Sequence, residues 1–552
     1  MNNRSVTIMP LGGVGEIGRN CTVLECGDSI VVLDAGLMFP EQEMLGVDIV
    51  IPDFRYLVQN RDRIRGIIVS HGHEDHVGAL PYLLRDISAP VYATPLTRGL
   101  IENKLRSRTL REHAQLYTIL PGDEIPLGDL RITPFHVNHS IPNAIGLAIR
   151  TPIGLLVHTG DFKIDHTPLE GRTTDLGQLA RLSAEGVILL MADSTNAESP
   201  GYTASESQLI DTFHRVFHRA RGRIIVATFA SLLSRIQLVI ETAAEMGRKV
   251  AVAGRSMEEN IAIAEKLGYV RFPPDTRMTL DQIATLPDHQ VCILATGAQG
   301  EPNAALARMA AGRFRQVHIK EGDTVLFSSK AIPGNETQIH RNIDNLFRLG
   351  ANVVYGEEAG LHVSGHAAQE ELKLMLNLLR PLYFAPLHGE YRMLRIHANL
   401  ALELGFAPED VFVLDKGDRL ILDDSGARLG EPLPVEEVYV DGSLVGDVGT
   451  TILRDRMALS QDGFVIAKVA VEADTGHVAG DPQIISQGFV YIPESEALMQ
   501  AAQSAIIDVV DRYGPEVDDP EEIAERIKRR LQQLFYEETR RRPVIIPLVT
   551  AA

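Results

Sequence analysis

Cysteine is scarce in this sequence, and Cys21, Cys26 and Cys292 are too few and too scattered for a disulfide framework or a thiolate metal site. No apolar run approaches the ~20 residues that a membrane-spanning helix needs. The first residues also lack the charged and then apolar layout of a secretory signal peptide. We therefore expect a cytoplasmic protein with no membrane partner.

Positive charge is also in short supply. The 53 Lys and Arg residues are outnumbered by 73 Asp and Glu residues, which leaves a formal charge of −20. This excess argues against nonspecific coating of nucleic acid, although a local basic groove or bound metal ions could still hold a polyanion. The chain has 552 residues, of which 45% are hydrophobic, enough core for roughly two to four domains.

Three glycines near the N-terminus, Gly13, Gly15 and Gly18, fill the G-x-G-x-x-G pattern of a dinucleotide-binding turn. That turn requires the glycines to open a helix whose N-terminus holds the pyrophosphate. The residues that follow here, NCTVLE, alternate and include β-branched side chains, so they predict a strand. We expect the glycines to join strands beside another kind of site, with no dinucleotide.

The stretch RGIIVSHGHEDHVGA carries the strongest chemical signal in the chain. An apolar strand breaks into an H-x-H-x-D-H pattern formed by His71, His73, Asp75 and His76. Alternate side chains of such a loop can point the same way and offer imidazole and carboxylate to two adjacent divalent ions. A solvated polar loop is the alternative, and so dense a set of ligands straight after an apolar strand disfavours it.

This pattern resembles the metallo-β-lactamase fold superfamily, in which each remaining ligand ends a strand. The resemblance implies His139 after LRITPF, Asp161 in LLVHTGDF and His388 in YFAPLHGE. It also implies two ion sites that share one carboxylate: His71, His73, His139 and Asp161 for one ion, and Asp75, His76, Asp161 and His388 for the other.

Three details complete the expected metal centre. Asp34, at the end of the strand IVVLD, is similar to the family's acid that orients the histidine loop. His136 and His158 stay outside the ligand set, because lone histidines are more often packed or surface residues. Imidazole and oxygen ligands without thiolate make zinc the first expectation and manganese the second.

A stretch of roughly a domain's length separates Asp193 from the strand before His388 and alternates strand with helix. Its apolar strands, such as RIIVATFAS and VCILATGAQGEP, end in polar loops, where doubly wound sheets bind ligands. The insertion resembles that of the β-CASP branch of the superfamily, whose members cut nucleic acids. The motifs of that branch match at Asp193 in MADSTN, His366 in HVSGHA and His388 in PLHGEY.

Together with the GGVGEIGRN start and the C-terminal extension, these motifs make the whole chain similar to the bacterial ribonuclease J family. The resemblance implies an α/β fold: a metallo-β-lactamase αββα sandwich with an inserted doubly wound β-CASP domain and a small C-terminal α/β domain. The predicted domains are the metallo-β-lactamase domain at 1–205 and 366–430, the β-CASP domain at 206–365, a linker at 431–455 and the C-terminal domain at 456–552.

The family's phosphate-binding loop falls on His362, Val363, Ser364, Gly365 and His366, whose backbone N–H groups would cradle an RNA phosphate. Ser364 could also be the N-cap of the helix that follows, and both roles can hold together.

Two basic stretches could line an RNA channel, RGLIENKLRSRTLREH from Arg98 and HRVFHRARGR from His214. Charge runs are more often solvated helix faces, so both interpretations stay open. The C-terminal domain, with strands GFVIAKVAV and PVIIPLV around two helices, is typical of small modules that dimerise. The resemblance adds formation of a homodimer or tetramer.

The resemblance implies a metal-dependent ribonuclease, a 5′-to-3′ exonuclease and endonuclease of RNA maturation and decay, including rRNA processing. Its substrate would be single-stranded RNA with a 5′-monophosphate, and RNA-decay or ribosome-associated proteins would be its partners. A hydroxide held between two ions would attack the phosphorus, with Asp75 or Asp161 orienting it. A cationic His366, placed by Asp193, would protonate the leaving 3′-oxygen and leave a 5′-phosphate on the product.

Three rivals are open at this point. A DNA repair nuclease of the same branch would keep every metal ligand and differ only in contacts to the 2′-hydroxyl. A non-nuclease metallo-hydrolase of this fold is the second rival. The diiron oxygen reductase built on the same fold is disfavoured, because its ligand pattern carries an acid where His73 stands and because this chain lacks a flavin module. A noncatalytic RNA-binding scaffold would lack a ligand, and none is missing.

Overall fold

The structure is a computed structural model that describes residues 5–41, 43–105, 110, 114–332, 334–490, 495–514 and 519–552. The chain divides into two compact units, one made of Met1–Phe39 and Val50–Val438 and the other of Pro40–Ile49 and Tyr439–Ala552. Within the described residues, no helix is both long enough and apolar enough to cross a membrane.

Two sheets form the centre of the first unit. The 8-stranded sheet has the spatial order Gly426–Leu429, Leu420–Asp423, Ser5–Gly12, Cys21–Cys26, Ser29–Leu33, Ile64–Ile68, Val91–Ala93, Leu116–Thr118. The 6-stranded sheet has the order Tyr383–Leu387, Val187–Asp193, Gly154–His158, Ile145–Thr151, Leu130–His136, Ile125–Leu127. Strands such as Ser29–Leu33 read as unbroken apolar runs because they are buried on both faces.

The two sheets pack face to face on one core. Ile8 and Leu24 of the first sheet share this core with Ile132 and Leu156 of the second. A second core packs the other face of the 6-stranded sheet against helices, three of which are Leu176–Glu185, Gln369–Leu379 and Tyr391–Glu403. Further helices of this part are Arg55–Gln59, Glu74–Val77, Leu80–Asp86 and Pro95–Lys104.

A third sheet is inserted between the strands Val187–Asp193 and Tyr383–Leu387. It is parallel and five-stranded, in the order Lys249–Ala253, Val291–Ala295, Ile224–Ala227, Thr324–Phe327, Asn352–Val354. Alternate residues of Ile224–Ala227 enter different cores, so both faces of the sheet are covered. Its helices include Gln208–Arg219, Leu233–Glu245, Arg255–Leu267, Leu280–Ile283, Ala305–Ala310 and Glu336–Arg348.

The second unit has a core of its own. The strand Phe464–Val471 pairs antiparallel with Gln483–Gln487 and parallel with Val544–Ala551. The helices Glu496–Tyr513 and Pro520–Thr539 cover one face of this sheet with apolar residues at helical spacing. The unit also contains the helix Thr450–Asp462 and, from Tyr439 onward, the hairpin of Val438–Asp441 with Leu444–Val445.

The predicted fold class is confirmed: a sandwich of two sheets with helices, an inserted doubly wound sheet and a small C-terminal α/β unit. The residue boundaries that the sequence suggests for the domains stay predictions.

Candidate metal centre

The histidine loop, residues 69–76, follows the buried strand Ile64–Ile68. Asp34 holds it in place, because its Oδ1 accepts a hydrogen bond from Ser70 N at 2.7 Å and its Oδ2 accepts one from His76 Nδ1 at 2.7 Å. Ser70 Oγ also donates to Asp34 Oδ2 at 2.9 Å. The Nε2 atom of His76 is therefore left to face the other ligands.

Close backbone packing fixes the same loop from the segment after Asp34. Ala35 N donates to His76 O and Leu37 N donates to Glu74 O, both within 3.0 Å. A Cβ atom added to Gly36 would lie 1.5 Å from Asp75 O, so no larger residue fits there without displacing the loop. Backbone contacts thus preorganise the ligands.

The first cluster contains His71, His73, His139 and Asp161, whose ligand atoms all lie within 4.8 Å of one another. His73 Nδ1 is 3.0 Å from His71 Nε2 and 3.1 Å from His139 Nε2. Asp161 Oδ2 is 3.5 Å from His71 Nε2. Three imidazole nitrogens and one carboxylate oxygen that converge in this way are a set of donors suited to Zn²⁺ or Mn²⁺.

The second cluster contains Asp75, His76, Asp161 and His388, again within 4.8 Å. Asp161 belongs to both clusters, since its Oδ2 is also 3.2 Å from His76 Nε2. His388 Nδ1 lies 2.8 Å from Asp161 Oδ1, and its Nε2 lies 3.4 Å from Asp75 Oδ2. The geometry therefore brings together the two sets of residues that the sequence predicts.

One orphaned atom tests whether these residues fit a metal. The buried Nε2 of His388 makes no well-aligned hydrogen bond among the described residues, and Asp75 Oδ2 lies 3.4 Å away. A buried polar atom without a partner is costly, and an ion coordinated by this cluster would satisfy it. The donor set and the orphaned nitrogen both fit a divalent ion.

The electrostatics of the clusters also favour a cation. Burial, and then the charge of His76, hold the pKa of His71 well below its usual range, and burial lowers the pKa of His73 to about 4. Burial acts the same way on His388, but Asp161 outweighs it and raises the pKa of His388 to about 10. A divalent ion binds neutral imidazoles and ionised carboxylates. The lowered pKa values of His71 and His73, and the carboxylates around His388, match this requirement.

Asp193, which is buried, and His366, which is partly exposed, form an ion pair beside the clusters. His366 Nδ1 lies 2.7 Å from Asp193 Oδ2, and Asp193 Oδ1 accepts hydrogen bonds from Thr195 N and Oγ1. Burial opposes a charge on His366, but the Asp193 carboxylate outweighs it and raises the pKa of the imidazole. These two residues, with Asp161 and His388, form a third group whose atoms could also hold an ion.

The predicted phosphate loop, residues 362–366, packs against the first cluster. Gly365 O accepts a hydrogen bond from His139 Nδ1 at 2.8 Å, which leaves Nε2 of His139 to face His73. A Cβ on Gly365 would lie 2.9 Å from the His139 ring. Ser364 Oγ accepts from His366 N at 3.1 Å. The expectation of Ser364 as an N-cap is wrong, because the helix begins at Gln369 with Ala368 at its N-cap.

The glycine turn lies beside the metal centre, as expected. Strand Cys21–Cys26 follows it, and Val14–Gly15 pairs with Gly389–Glu390 directly after His388. Gly13 has a φ of 79°, and a Cβ there would meet Asn20 Oδ1 at 2.3 Å. A cavity of about 20 Å³ is lined by this turn together with Asp34, Asp161, His158 and His388.

Sequence reasoning missed two buried residues that position the site. Asn20 Nδ2 lies 3.1 Å from His76 Nε2 and 3.5 Å from Asp75 Oδ2. Glu371 is fully buried and accepts hydrogen bonds from three separate segments, at Ile164 N, Thr203 N and Ala368 N. Asn20 is the last residue of the GGVGEIGRN stretch, which gives no sign of its contact with His76. For Glu371 the only signal is its place in the first turn of a helix shortly after His366.

Other candidates lie elsewhere. His136 Nε2 lies 3.3 Å from Arg172 O, and His158 Nδ1 accepts from Gly160 N, so neither enters the clusters. In the stretch from Arg98, that side chain pairs with Glu102, whereas residues 106–109 and 111–113 lie outside the described residues. In the stretch from His214, the pairs are His214 with Glu245 and Arg223 with Asp323.

Four family profiles match this chain in order. They are the metallo-beta-lactamase superfamily at residues 14–203, the ribonuclease J beta-CASP domain at 221–346, the Zn-dependent metallo-hydrolase RNA specificity domain at 353–414 and the ribonuclease J C-terminal domain at 451–552. Ribonuclease J 1 of Streptococcus pyogenes is 42% identical over 99% of this chain and 97% of its own length. The chain belongs to the ribonuclease J family.

A second relative supports this assignment, and one solved structure shares the fold. Ribonuclease J2 of Bacillus subtilis is 41% identical over 99% of both chains. A crystal structure of an Enterococcus faecalis protein of unknown function covers 76% of this chain and all of its own, with a TM-score of 0.54 and 18% identity. That likeness shows the shared fold alone, whereas the ribonuclease J relatives match the chain from end to end.

Proposed function

We propose that this protein hydrolyses RNA phosphodiester bonds with the help of two divalent ions, as a 5′-to-3′ exonuclease and endonuclease of RNA maturation and decay. The family assignment makes the chain a metal-dependent ribonuclease. The observation that carries the two-ion proposal is the pair of adjacent His and Asp clusters that share Asp161. A DNA-directed nuclease of the same fold would share these ligands, so the substrate must be compared directly.

The residues assigned to the ions are those of the two clusters, with zinc as the first expectation and manganese as the second. When bound, divalent ions supply Lewis acidity that activates water and neutralises charge at the phosphorus. We assign Asp75 and Asp161 to the orientation of the attacking water. Asp34 and Asn20 hold the ligand loop through the contacts described above.

His366 is the proposed general acid. The Asp193 carboxylate lies 2.7 Å from His366 Nδ1 and raises the pKa of the ring, which favours its cationic form. Nε2–H is then free to protonate the leaving 3′-oxygen, which leaves a 5′-phosphate on the downstream product. His366 remains partly exposed, with 20% of its side chain accessible, so RNA can reach it.

The proposed 5′ end site is the loop 362–366, where backbone N–H groups and His362 would bind the terminal phosphate of single-stranded RNA. A homodimer or tetramer built through the C-terminal unit is a further proposal, as are a cytoplasmic location and RNA-decay or ribosome-associated partners. The separate core of that unit supports its role as an independent module.

Product analysis on matched RNA and DNA tests the proposal. Both strands carry one sequence and either a 5′-monophosphate or a 5′-hydroxyl. We expect metal-dependent cleavage of the RNA, 5′-phosphate products and faster digestion of the RNA that carries a 5′-monophosphate.

Chelation and His73→Ala should both abolish cleavage, because loss of one imidazole disrupts the first ion site. His166→Ala, an exposed histidine outside both clusters, is the control. Cleavage by the chelated enzyme would overturn the two-ion assignment, and equal cleavage of DNA would point to the DNA-directed alternative.

A further inference from the structure

An arginine of the inserted domain is buried directly behind the phosphate loop. Arg235 lies on the helix Leu233–Glu245 and is only 1% exposed. A buried guanidinium is costly unless it is paired and hydrogen bonded. Glu206 supplies the pair, since Arg235 Nη2 lies 2.8 Å from Oε1 and 2.9 Å from Oε2 of that carboxylate.

The other arm of the guanidinium reaches the start of the phosphate loop. Arg235 Nη1 donates to Ser328 Oγ at 2.9 Å and to Leu361 O at 3.2 Å. Ser328 Oγ itself donates to the same Leu361 O at 2.7 Å. The carbonyl that directly precedes His362 is therefore held from two sides.

Arg235 also determines how His362 presents its ring. Nη1 lies 3.5 Å from His362 Nδ1, and a guanidinium carries donors but no acceptor. A proton on Nδ1 would face this cation, so we infer that the neutral ring carries its proton on Nε2. Burial, and then the charge of Arg235, lower the pKa of His362 to about 3.

The Glu206 side of the network leads back toward the metal centre. Glu206 N donates to Asp165 Oδ2 at 3.1 Å, and Asp165 pairs with the buried Lys163 at 3.2 Å. Asp165 and Lys163 follow Asp161 in the same segment. The network therefore connects the inserted helix with the segment that supplies the shared carboxylate and with the segment that binds phosphate.

We propose that Arg235 is a positioning residue that fixes the start of the phosphate loop and holds His362 as a neutral Nε2–H donor toward a 5′-terminal phosphate. This inference rests on the proposed phosphate role of the loop. Arg235 itself does not touch the substrate, because its hydrogen-bonding groups are taken up by Glu206, Ser328 and Leu361. Its effect is on selectivity between 5′ ends.

Steady-state kinetics on 5′-monophosphate and 5′-hydroxyl RNA of one sequence test this role. For Arg235→Gln we expect the ratio of the two kcat/KM values to fall by about 10- to 100-fold, as for loss of a hydrogen bond to a charged group. The loss should lie mainly in KM for the monophosphate. Arg235→Lys keeps the positive charge but loses the planar guanidinium that binds Glu206 and Leu361 at once. Its ratio should lie between those of Arg235→Gln and wild type.

A matched control is available in the same domain. Arg223 is also a buried arginine and pairs with Asp323 through Nε at 2.9 Å and Nη2 at 2.5 Å. It precedes the strand Ile224–Ala227, whereas Ser328 follows the neighbouring strand, so the two arginines stabilise opposite ends of the sheet. Arg223→Gln should lower stability and leave the ratio of the two substrates unchanged.

A double-variant cycle separates positioning from general stabilisation. If Arg235 acts through His362, adding Arg235→Gln to His362→Ala should lower the ratio little further. An undiminished additional loss would overturn the role through His362, and an equal loss on both RNAs would overturn the whole inference. Should Arg235→Gln fail to fold, Ser328→Ala removes the second donor to Leu361 O and should shift the ratio in the same direction, and no shift would count against the role. A wild-type enzyme that ignores the 5′ phosphate would instead refute the proposed function of the loop.

Discussion

At the scale of single residues, the site separates two uses of histidine. His76 and His139 donate through Nδ1 to Asp34 Oδ2 and Gly365 O. Their Nε2 atoms face neighbouring ligands of the two clusters. His366 also pairs its Nδ1 with a carboxylate, Asp193, but it differs in lying outside the two predicted ion sites and in being 20% exposed. This difference is the basis for assigning it to proton transfer, although the third His and Asp group makes metal binding a competing role.

His366→Ala separates these roles. We expect both ions to remain bound, as measured by metal analysis of the purified protein, and the cleavage rate to fall by roughly 10²- to 10⁴-fold, as for loss of a positioned proton donor. A substrate with sulfur at the scissile 3′ position needs little protonation, so the variant should recover much of the wild-type rate on it. Loss of an ion, or no recovery on the thio substrate, would rule out His366 as the acid.

Asp34→Asn tests the support of the histidine loop. The amide keeps the size of the side chain but removes the charge that faces Ser70 and His76, so metal affinity should fall by about 10- to 100-fold. Competition with a chromogenic chelator measures the change. Asp53→Asn alters another buried carboxylate, which binds Arg55 instead, and should leave metal affinity at the wild-type value. Equal affinities for Asp34→Asn and wild type would show that the loop needs no acid.

The sequence is most informative where ligands are dense or follow a strand. His71, His73, Asp75 and His76 sit in one motif, which can be recognised from the residues alone. His139, Asp161 and His388 each follow an apolar strand, but it is the resemblance to the metallo-β-lactamase superfamily that singles them out. Asn20 ends the GGVGEIGRN stretch, yet that stretch does not reveal its contact with His76. Arg235 and Glu371 are isolated polar residues whose burial depends on how distant segments close together. Their sequence neighbourhoods resemble ordinary helix or loop surfaces, and only the tertiary structure reveals their role.

At the scale of elements, close approach of two loops positions the centre. Gly36 and Asp75 meet so tightly that a side chain at 36 has no space. We expect Gly36→Ala to destabilise the protein by about 1–3 kcal/mol or more, as overpacking does, and to lower its metal content. Urea unfolding and metal analysis measure the two effects. Gly449→Ala, where a Cβ meets nothing within 4 Å, is the control, and wild-type metal content in Gly36→Ala would contradict the prediction.

At the scale of the whole molecule, the C-terminal unit leaves an apolar face uncovered. Ile485 and Ile546 both pair with Ile466 across the sheet and are 57% and 43% exposed. Their side chains point away from the core formed by Val465 and Ala467. We expect this face to form the contact if the homodimer or tetramer proposed above is built through this unit.

Changing Ile485 and Ile546 to Lys together should reduce the assembly to a smaller species, because a lysine pair cannot be buried at a contact without partners. Light scattering on the eluting full-length protein gives the mass. Leu444→Lys, at another exposed apolar residue of the unit, should leave the mass unchanged. A double variant with the wild-type mass would place the contact elsewhere.

The position of His388 and of the strand Leu420–Asp423 has a consequence for synthesis. His76 and its loop leave the ribosome early, yet the second ion site lacks a ligand until residue 388 has been translated. The sheet edge beside Ser5–Gly12 is filled later still, when Asp423 pairs with Ser5. Domains generally fold as units once their segments are available. The two clusters are therefore incomplete in a nascent chain until 388 of its 552 residues have been translated.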